Sequence, residues 1–295
     1  MSDGPVVVVG DVMRDVSVRL AGTPAPGSDA PATIEVRPGG SGANAAAWLA
    51  RLGERVVFAA CVGDDDVGGE AARVLAEDGV TTRLAVAEGH TGACVLIVAP
   101  DGERTTFTDP GANARLDPAD LPRDAFAAGG HLHLSGYSLL RPGSRAAATA
   151  ALTAAREAGM RASVDPSSTA PLRALGAEAF LGLAAGAGLV IATRAEAEVL
   201  TGSADPERAA AALAEGRDGV VLKLGAEGAL WRSGAGETVR VPAAAPPRSV
   251  VDQTGAGDAF AAAWIAARRG GAGARDALDA ACALAAEVVT RPGAR

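Results

Sequence analysis

Short apolar runs alternate with longer, Ala-rich amphipathic segments along most of this chain. Val6–Val9 is a continuous apolar run that stops at Gly10-Asp11, and Val56–Val62 is a second run of the same kind. Such runs are typical of strands that are buried on both faces of a parallel sheet. From His131 onwards, expected strands and helices alternate regularly. This order predicts an α/β fold in which helices cover both faces of a central, mainly parallel sheet.

The change between the strand and helix periodicities places the individual elements. We expect strands over 131–134, 162–164, 189–191, 220–224, 229–232 and 237–241. We expect helices over 45–52, 67–77, 144–158, 171–184, 194–200, 206–214, 257–268 and 274–289. The sequence shows no linker and no internal repeat, so we expect one domain over 1–295.

Residues 12–38 differ from the rest because prolines interrupt short alternating pieces. Apolar residues occupy every second position, as at Val16, Val18, Ile34 and Val36. This is the pattern of strands with one half-exposed face. Further strands are expected over 81–86, 93–99 and 104–108, the last two joined by a turn at Asp101-Gly102. We expect these pieces to form a small β-sheet lid, from about 12–38 and 82–110.

Composition and charge narrow the classes of function. The formal net charge of −8 argues against nucleic acid and anionic membranes as partners. Cys61, Cys94 and Cys282 lack paired spacing, which indicates a reducing compartment. The first apolar run has no basic region before it, and no apolar segment approaches a membrane span of about 18 residues. We therefore expect a soluble, cytoplasmic protein.

The most informative stretch is Val250–Phe260, which reads V-V-D-Q-T-G-A-G-D-A-F. Gly255 and Gly257 allow a tight turn and a close approach of a ligand to backbone amides. Those amides and the helix dipole form an anion site where the next helix begins. Asp258 places a carboxylate beside that anion, which suggests a general base next to a phosphoryl group. The alternative is an ordinary glycine-rich helix start with an acidic first turn.

A second glycine-rich helix start, Gly39–Asn44, precedes the helix over 45–52. Ligands of open α/β sheets bind beyond the carboxyl ends of the strands, so we expect both starts to face one cleft. The chain has no G-x-x-x-x-G-K-[ST], and no G-x-G-x-x-G after its first strand. Their absence argues against a P-loop and against a dinucleotide site.

Three longer segments resemble one family. Gly39–Gly53 (G-G-S-G-A-N-A-A-A-W-L-A-R-L-G) is similar to the N-terminal signature of the ribokinase-like, or PfkB-type, carbohydrate kinases. Asp252–Phe260 is similar to their C-terminal signature, and Leu222–Gly228 to a third segment. The resemblance implies a three-layer ribokinase-like fold with a β-sheet lid. It also implies an ATP-dependent phosphotransferase that acts on a hydroxyl of a small sugar or sugar-derived molecule.

The resemblance assigns roles to matching positions. Asp258 is the expected base, and the amides of Gly255, Ala256 and Gly257 are expected to stabilise the transferring phosphoryl group. The positions expected to bind the acceptor, besides Asp258, are Asp15, Gly39, Gly40, Ser41, Asn44 and Asn113. The positions expected at the ATP site are Thr193, Lys223, Gly225, Gly228, Gly257 and Cys282.

Metal ions are implied in the same way. Glu196 is expected to contact Mg²⁺ through water. The positions that match a monovalent-cation site are Asp252, Thr254, Val288, Arg291 and Gly293. The chain ends at Arg295, before the position of the last such ligand in ribokinases, so the binding of K⁺ stays open.

Several positions depart from ribokinases. Met13 stands where they have Asn, and Ser41 replaces the Lys of their G-G-K-G, which argues against free ribose as the acceptor. Thr193 replaces the Asn of the family's N-x-x-E element, whereas Glu196 is retained. The phosphate contacts at that element therefore stay open.

The sequence leaves the acceptor undecided. A nucleoside kinase of the adenosine type shares both signatures, and contacts from Met13 or Tyr137 to a base would favour it. A 2-keto-3-deoxy sugar acid kinase needs a basic group for the carboxylate, for which Arg104 on the lid is the best candidate. The non-enzyme alternative is an inactive sugar-binding regulator, which the intact Asp258 disfavours. The apolar lid pattern further suggests a homodimer formed through the lid.

Overall fold

A computed structural model describes residues 4–101 and 103–295. The strands are β1 (Val6–Val9), β2 (Met13–Leu20), β3 (Ala32–Gly39), β4 (Val56–Gly63), β5 (Thr81–Ala87), β6 (Gly92–Val98), β7 (Arg104–Asp109), β8 (His131–Ser135), β9 (Arg161–Asp165), β10 (Leu189–Thr193), β11 (Gly219–Lys223), β12 (Ala229–Ser233) and β13 (Thr238–Val241). The helices are α1 (Ser41–Arg51), α2 (Asp66–Glu77), α3 (Tyr137–Leu140), α4 (Arg145–Glu157), α5 (Thr169–Leu175), α6 (Ala177–Leu183), α7 (Arg194–Thr201), α8 (Pro206–Ala214), α9 (Ala256–Arg269) and α10 (Ala274–Val288). Short 3₁₀ turns cover Gly111–Arg115, Pro118–Asp120, Arg123–Ala125 and Gly225–Glu227.

The larger sheet has nine strands in the order β13-β12-β11-β10-β9-β8-β1-β4-β5. The strands from β11 to β5 pair in parallel, and β12 and β13 are antiparallel additions at one edge. Side chains of β1 alternate between two cores, as expected for a strand buried on both faces. Val7 and Val9 pack with α4 to α8, whereas Val6 and Val8 pack with α1, α2, α9 and α10. The expected central sheet between two helical layers is confirmed.

Helix α1 begins directly over the end of β1. A Cβ atom on Gly42 would lie 2.6 Å from the Cα of Gly10, so the two backbones touch where a side chain would not fit. The carboxylate of Asp11 accepts a hydrogen bond from the amide of Gly42 at 3.1 Å. This contact fixes the amino end of α1 at the carboxyl edge of the parallel strands, the edge at which such sheets bind ligands.

The smaller sheet, in the order β3-β2-β6-β7, forms the lid. Paired residues on neighbouring strands share a face, and the next pair lies on the opposite face. One row across the four strands consists of Arg37, Asp15, Cys94 and Thr108. The adjacent row, on the other face, consists of Val36, Val16, Val95 and Phe107. The lid therefore has one polar row and, on its other face, an apolar row.

Three expectations need correction or fall outside the described residues. Residues 82–86 were expected in the lid, but they belong to β5, which pairs with β4 in the larger sheet. A β-strand, helix, β-strand unit places its second strand parallel to its first, and here α2 joins β4 to β5. The single helix expected over 171–184 is two helices, because Gly176 between them has a φ of 94°. The predicted turn at Asp101-Gly102 includes Gly102, which lies outside the described residues.

Among the helices of residues 4–101 and 103–295, we find none that combines the length and the apolar character of a membrane-spanning segment.

The close contact between Gly10 and Gly42 can be tested by replacing Gly42 with Ala. We expect a loss of about 1–3 kcal/mol in the free energy of unfolding, since the added methyl group collides with the backbone of β1. Gly69, in α2, is the matched control, because a Cβ there meets nothing within 4 Å. Gly69→Ala is expected to stabilise the protein by about 0.5–1 kcal/mol. Urea denaturation of both variants measures the difference, and equal stabilities would contradict this account.

Candidate active site

A cavity of about 280 Å³ opens at the carboxyl edge of the larger sheet, beneath the polar row of the lid. It lies where α1 and α9 both begin, so the two glycine-rich helix starts face one cleft, as predicted. Residues expected from the sequence that line it are Asp15, Gly40, Ser41, Asn44, Thr193, Glu196, Lys223, Thr254, Gly255, Gly257 and Asp258. Residues that line it and were not expected as site residues include Asp11, Cys94, Thr108, Arg141, Asp165 and Ser167.

Asp258 lies in the first turn of α9 and is held by the first turn of α1. Its Oδ1 atom accepts a hydrogen bond from the hydroxyl of Ser41 at 2.8 Å. Its Oδ2 atom accepts one from the side-chain amide of Asn44 at 2.9 Å. The Oδ1 atom of Asn44 is itself buried and has no hydrogen-bond partner in the described part of the chain. A vacant acceptor thus lies beside the carboxylate.

The carboxyl group of Asp258 has a strongly shifted proton affinity. Burial raises its pKa to about 7, and the nearby carboxylate of Asp165 adds to the rise. The hydrogen bonds from Asn44 and Ser41, and the charge of Lys223, oppose it. A carboxylate with a pKa near neutrality is suited to accept a proton and release it again, which an ordinary surface aspartate is not.

The backbone at the start of α9 is arranged as an anion site requires. Gly255 has a φ of 75°, a conformation that favours glycine, and it directly precedes the helix. The amide of Ala256 donates to the carbonyl of Gln253 at 3.3 Å, so this amide of the expected three is already engaged. A Cβ atom on Gly257 would lie 3.3 Å from the Nζ atom of Lys223. The absence of a side chain there keeps a space between the helix start and the ammonium group.

Two acids and a lysine occupy the floor of the cavity, at the ends of β9 to β11. The carboxylate of Asp165 pairs with the ammonium group of Lys223. Burial alone would lower the pKa of Lys223, but Asp165 and Glu196 outweigh it and raise that pKa. Burial and the charge of Asp165 raise the pKa of Glu196. The ammonium group therefore stays charged and remains close to both acids.

Thr193 stands where the family has asparagine, and it forms a reciprocal helix cap with Glu196. Its hydroxyl accepts from the amide of Glu196 at 3.2 Å, and the Glu196 carboxylate accepts from the amide of Thr193 at 2.7 Å. This capping box fixes Glu196 at the start of α7, with its side chain at the cavity. One carboxylate oxygen of Glu196 is therefore committed to the backbone.

Asp15 and Asp11 define the opposite half of the cavity. Burial raises the pKa of Asp15 to about 7, and the charge of Asp11 adds to the rise. A Cβ atom on Gly39 would lie 2.0 Å from the carboxylate of Asp15, so glycine at this position leaves room for that side chain. Gly39 itself does not line the cavity, whereas Gly40 does.

Arg141 is a cation on this side that the sequence motifs did not indicate. Its guanidinium group stacks on the ring of Tyr137, with 4.8 Å from Cζ to the ring centroid. Its Nη2 atom lies 3.9 Å from the carboxylate of Asp11, a long distance for a charged pair. The side chain is only 15% exposed. The guanidinium group is thus enclosed at the cavity, where its ion pair with Asp11 is too long for a hydrogen bond. The side chain of Arg104, the expected basic group, lies outside the described residues.

The whole sequence matches one known family. The family model for the pfkB family carbohydrate kinases matches residues 4–295. The chain belongs to the pfkB family of carbohydrate kinases. This confirms the ribokinase-like fold and the class of activity expected from the motifs, ATP-dependent phosphoryl transfer to a hydroxyl group of a sugar-like molecule.

Individual relatives cover most of the chain. The chain is 32% identical to 2-dehydro-3-deoxygluconokinase of Bacillus subtilis. The aligned region of 264 residues spans 86% of this chain and 81% of that protein. The adenosine kinase from Sinorhizobium meliloti superposes with a TM-score of 0.87 at 27% identity, over 99% of this chain and 95% of that one. A putative ribokinase II from E. coli, in complex with ATP and Mg²⁺, superposes with a TM-score of 0.83 at 27% identity, over 99% and 94% of the two chains.

Besides Gly39 and Ala256, four residues expected at the acceptor and ATP sites of this pfkB kinase do not line the cavity. Asn113 is buried and holds the backbone of Val12, accepting from its amide at 2.8 Å and donating to its carbonyl at 2.7 Å. Gly225 and Gly228 flank the turn between β11 and β12, both with positive φ. Cys282 is buried on α10, where burial raises the pKa of its thiol to about 11. The structure thus gives Asn113 a positioning contact, and the other three roles stay predictions.

Only three of the residues expected at the monovalent-cation site, Asp252, Thr254 and Gly293, are joined by hydrogen bonds within the described residues. Asp252 accepts from the hydroxyl of Thr254 at 2.7 Å and from the amide of Gly293 at 3.1 Å. Arg291 instead pairs with Glu287 at 2.8 Å, and Val288 is buried. Asp252 therefore joins the segment before α9 to the segment after α10, and cation binding stays a prediction.

The pKa of Asp258 predicts a stability profile of definite sign. The folded-state pKa of about 7 lies above the unfolded value, so ionisation is harder in the folded protein. Its contribution to stability is full below about pH 4 and is lost as the pH rises through 7. Asp258→Asn removes this pH-dependent loss of stability. Asn44 can accommodate the new side-chain amide by reversing its own side-chain amide. We expect the melting temperature of the variant, relative to wild type, to increase between pH 5 and pH 8.

Asp205→Asn is the control for that titration. Asp205 caps α8 on the surface, and hydrogen bonds from backbone amides, first that of Arg208, hold its pKa below the ordinary value. Its titration is therefore complete below pH 5, and its melting difference is expected to be flat over the same range. A flat or falling difference for Asp258→Asn would contradict the assigned burial effect.

Proposed function

We propose that this pfkB kinase transfers the γ-phosphoryl group of ATP to an acceptor hydroxyl, with Asp258 as the general base. The observation that supports this most strongly is the buried Asp258 carboxylate at the start of α9, between the two halves of one cavity. One half contains Lys223 and Glu196, and the other contains Asp15 and Arg141. The base thus lies between a region suited to phosphates and a region suited to a small polar acceptor.

The residues around Asp258 support a specific proton transfer. A hydroxyl group that donates to the Asp258 carboxylate is also within the neighbourhood of the vacant Asn44 Oδ1 atom. As the acceptor oxygen bonds to the γ-phosphorus, its proton passes to the carboxylate, and the bond from that phosphorus to the β-γ bridging oxygen breaks. The free amides at the start of α9 stabilise charge on the transferring group.

The donor atoms present fit a nucleotide triphosphate with Mg²⁺. The space between Gly257 and Lys223 would be filled by any Cβ atom at Gly257, so it is open to a phosphate oxygen. Asp165 and Glu196 supply carboxylate oxygens, the ligands that Mg²⁺ prefers. We assign these two residues to Mg²⁺, directly or through water, where the ion would neutralise charge on the phosphates. The complex of the E. coli relative with ATP and Mg²⁺ supports the proposal that a nucleotide binds here together with this ion.

Arg141 favours an acceptor with a carboxylate, a sugar acid. A guanidinium group binds a carboxylate through two parallel hydrogen bonds, and within the described residues this one has only the Asp11 carboxylate, at 3.9 Å, as an ionic partner. The similarity to 2-dehydro-3-deoxygluconokinase points in the same direction. A neutral sugar or a nucleoside would leave the guanidinium group with only the distant Asp11 carboxylate, so these acceptors are the second choice.

The outer face of the lid supports a homodimer. Val36 and Phe107, at opposite ends of the apolar row, are 59% and 56% exposed. Ile34, two residues from Val36 and on the same face of the lid, is 62% exposed. An apolar sheet face of this kind is commonly covered by a partner. We assign the second copy of this chain as that partner, with the two lids facing each other.

The proposed base predicts a loss in kcat for Asp258→Asn. The amide cannot accept the hydroxyl proton, so kcat should fall about 10²–10⁴-fold, with nucleotide affinity retained. Asp66→Asn, a change of an acidic residue in the first turn of α2, is the control and should leave kcat unchanged. A variant at 258 that turns over at more than about a tenth of the wild-type rate would rule out this role.

Arg141→Met tests the acceptor class. We expect kcat/KM for a sugar acid such as 2-dehydro-3-deoxygluconate to fall about 10–100-fold, mainly through KM, because a charged hydrogen bond is lost. The value for a neutral sugar such as fructose should change little. Arg173→Met, an exposed site on α5, serves as the matched control. Equal losses for the acid and the neutral sugar would remove the argument for a sugar acid.

Val36→Lys tests the dimer. A charge in the apolar row should dissociate the proposed dimer, and light scattering at micromolar concentration would report half the wild-type mass. Val86 is the matched control, since it is 66% exposed but belongs to β5 of the larger sheet. A wild-type protein that is monomeric under these conditions would overturn the proposal.

A further inference from the structure

A second cavity, of about 330 Å³, lies at the opposite edge of the larger sheet. The first residues of four adjacent parallel strands line it, namely His131, Arg161, Leu189 and Gly219. Trp231 of β12 and the last turns of α9 complete its walls. None of its lining residues belongs to the cavity around Asp258. We call it the rear cavity.

Positive charge gathers in the rear cavity of an otherwise acidic protein. Arg161, Arg268 and Arg269 line it, together with Asp218. Arg269 is committed, since it pairs with Glu54 at 2.9 Å and donates to two backbone carbonyls. Arg268 donates to the carbonyl of Ala272 at 2.7 Å but forms no ion pair with a described residue. Arg161 is exposed at the rim and has no ion pair or hydrogen bond through its side chain within the described residues.

Trp231, Trp264 and Asp218 form further walls of the rear cavity. The rings of Trp231 and Trp264 lie 6.3 Å apart at an angle of 37°, and the guanidinium group of Arg268 lies over both. Both indoles are almost fully buried, at 8% and 2% exposure, so they present apolar edges rather than open faces to the rear cavity. Asp218 contributes a carboxylate, which accepts hydrogen bonds from hydroxyl groups. The Oδ2 atom of Asp218 lies close to Gly188, since a Cβ atom built on Gly188 would be 2.4 Å from that oxygen.

His131 does not add charge to the rear cavity. Burial lowers its pKa to about 3, and its Nε2 atom lies 2.8 Å from the hydroxyl of Ser163. The imidazole ring is therefore neutral at physiological pH. The free charges are the two guanidinium groups of Arg161 and Arg268 against the single carboxylate of Asp218.

We propose that the rear cavity binds a small phosphorylated sugar. The phosphate pairs with Arg161 and Arg268, which are the guanidinium groups that no acidic side chain other than Asp218 offsets. The sugar hydroxyls bind Asp218, and the sugar ring packs against the indole edges. A volume of about 330 Å³ is at the lower end for small-molecule sites, which suits a monosaccharide phosphate rather than a nucleotide.

The test uses the full chain and ribose 5-phosphate as the probe. Two of the three tryptophans line the rear cavity, so intrinsic fluorescence reports its occupancy, and calorimetry gives the affinity. We expect ribose 5-phosphate to bind at least about tenfold more tightly than either inorganic phosphate or D-ribose. Inorganic phosphate that binds as tightly as the sugar phosphate would overturn the proposal.

Variants separate the rear cavity from the catalytic one. Arg161→Gln should weaken ribose 5-phosphate binding about tenfold or more, with an unchanged melting temperature because the side chain is exposed. Arg156→Gln, an exposed arginine at the end of α4, is the matched control and should bind normally. Asp258→Asn should also bind normally. A loss of binding in Asp258→Asn with no loss in Arg161→Gln would place the probe in the catalytic cavity and refute the inference.

Discussion

The hydrogen bonds from the first turn of α1 to Asp258 join parts of the chain that are 217 and 214 residues apart. Both helices must begin at the same edge of the sheet for these bonds to form. The contact of Gly42 with Gly10 sets the position of α1, and the loop tied by Asp252 leads into α9. The cavity, the shifted pKa of Asp258 and the placement of the lid all depend on this junction.

The lid residues proposed to bind the acceptor and the residues proposed for phosphoryl transfer lie in different parts of this architecture. Asp258 and Lys223 belong to the layers that carry the core, where packing fixes their positions. The polar row of the lid belongs to strands that contribute no residue to either core cluster, whereas Arg141 directly follows the core residues Leu139 and Leu140. With the proposed roles, a change of acceptor can therefore arise from changes on the lid without a cost to the packing around Asp258 and Lys223.

The sequence predicted the parts of the fold and site that local patterns encode. The runs at Val6–Val9 and 220–224 mark buried strands, and the glycine-rich helix starts mark one cleft. It did not predict Arg141, because one arginine after a short helix has no distinguishing pattern, and its enclosure depends on distant residues. Asp11 and Asp165 each stand at the carboxyl end of a parallel strand, and that signal could have identified both. The position of β5 depended on its pairing with β4, which sequence alternation does not specify.

The hydrogen bonds from Ser41 and Asn44 to Asp258 also affect which molecules can bind to that carboxylate. A lone water molecule makes few other contacts with which to compete against Ser41 and Asn44 for this carboxylate, unlike a larger molecule with several hydroxyls. Such a molecule can compete for the carboxylate through many contacts at once. With Asp258 as the base, the same two hydrogen bonds that stabilise the junction would discourage futile hydrolysis of ATP until a true acceptor arrives.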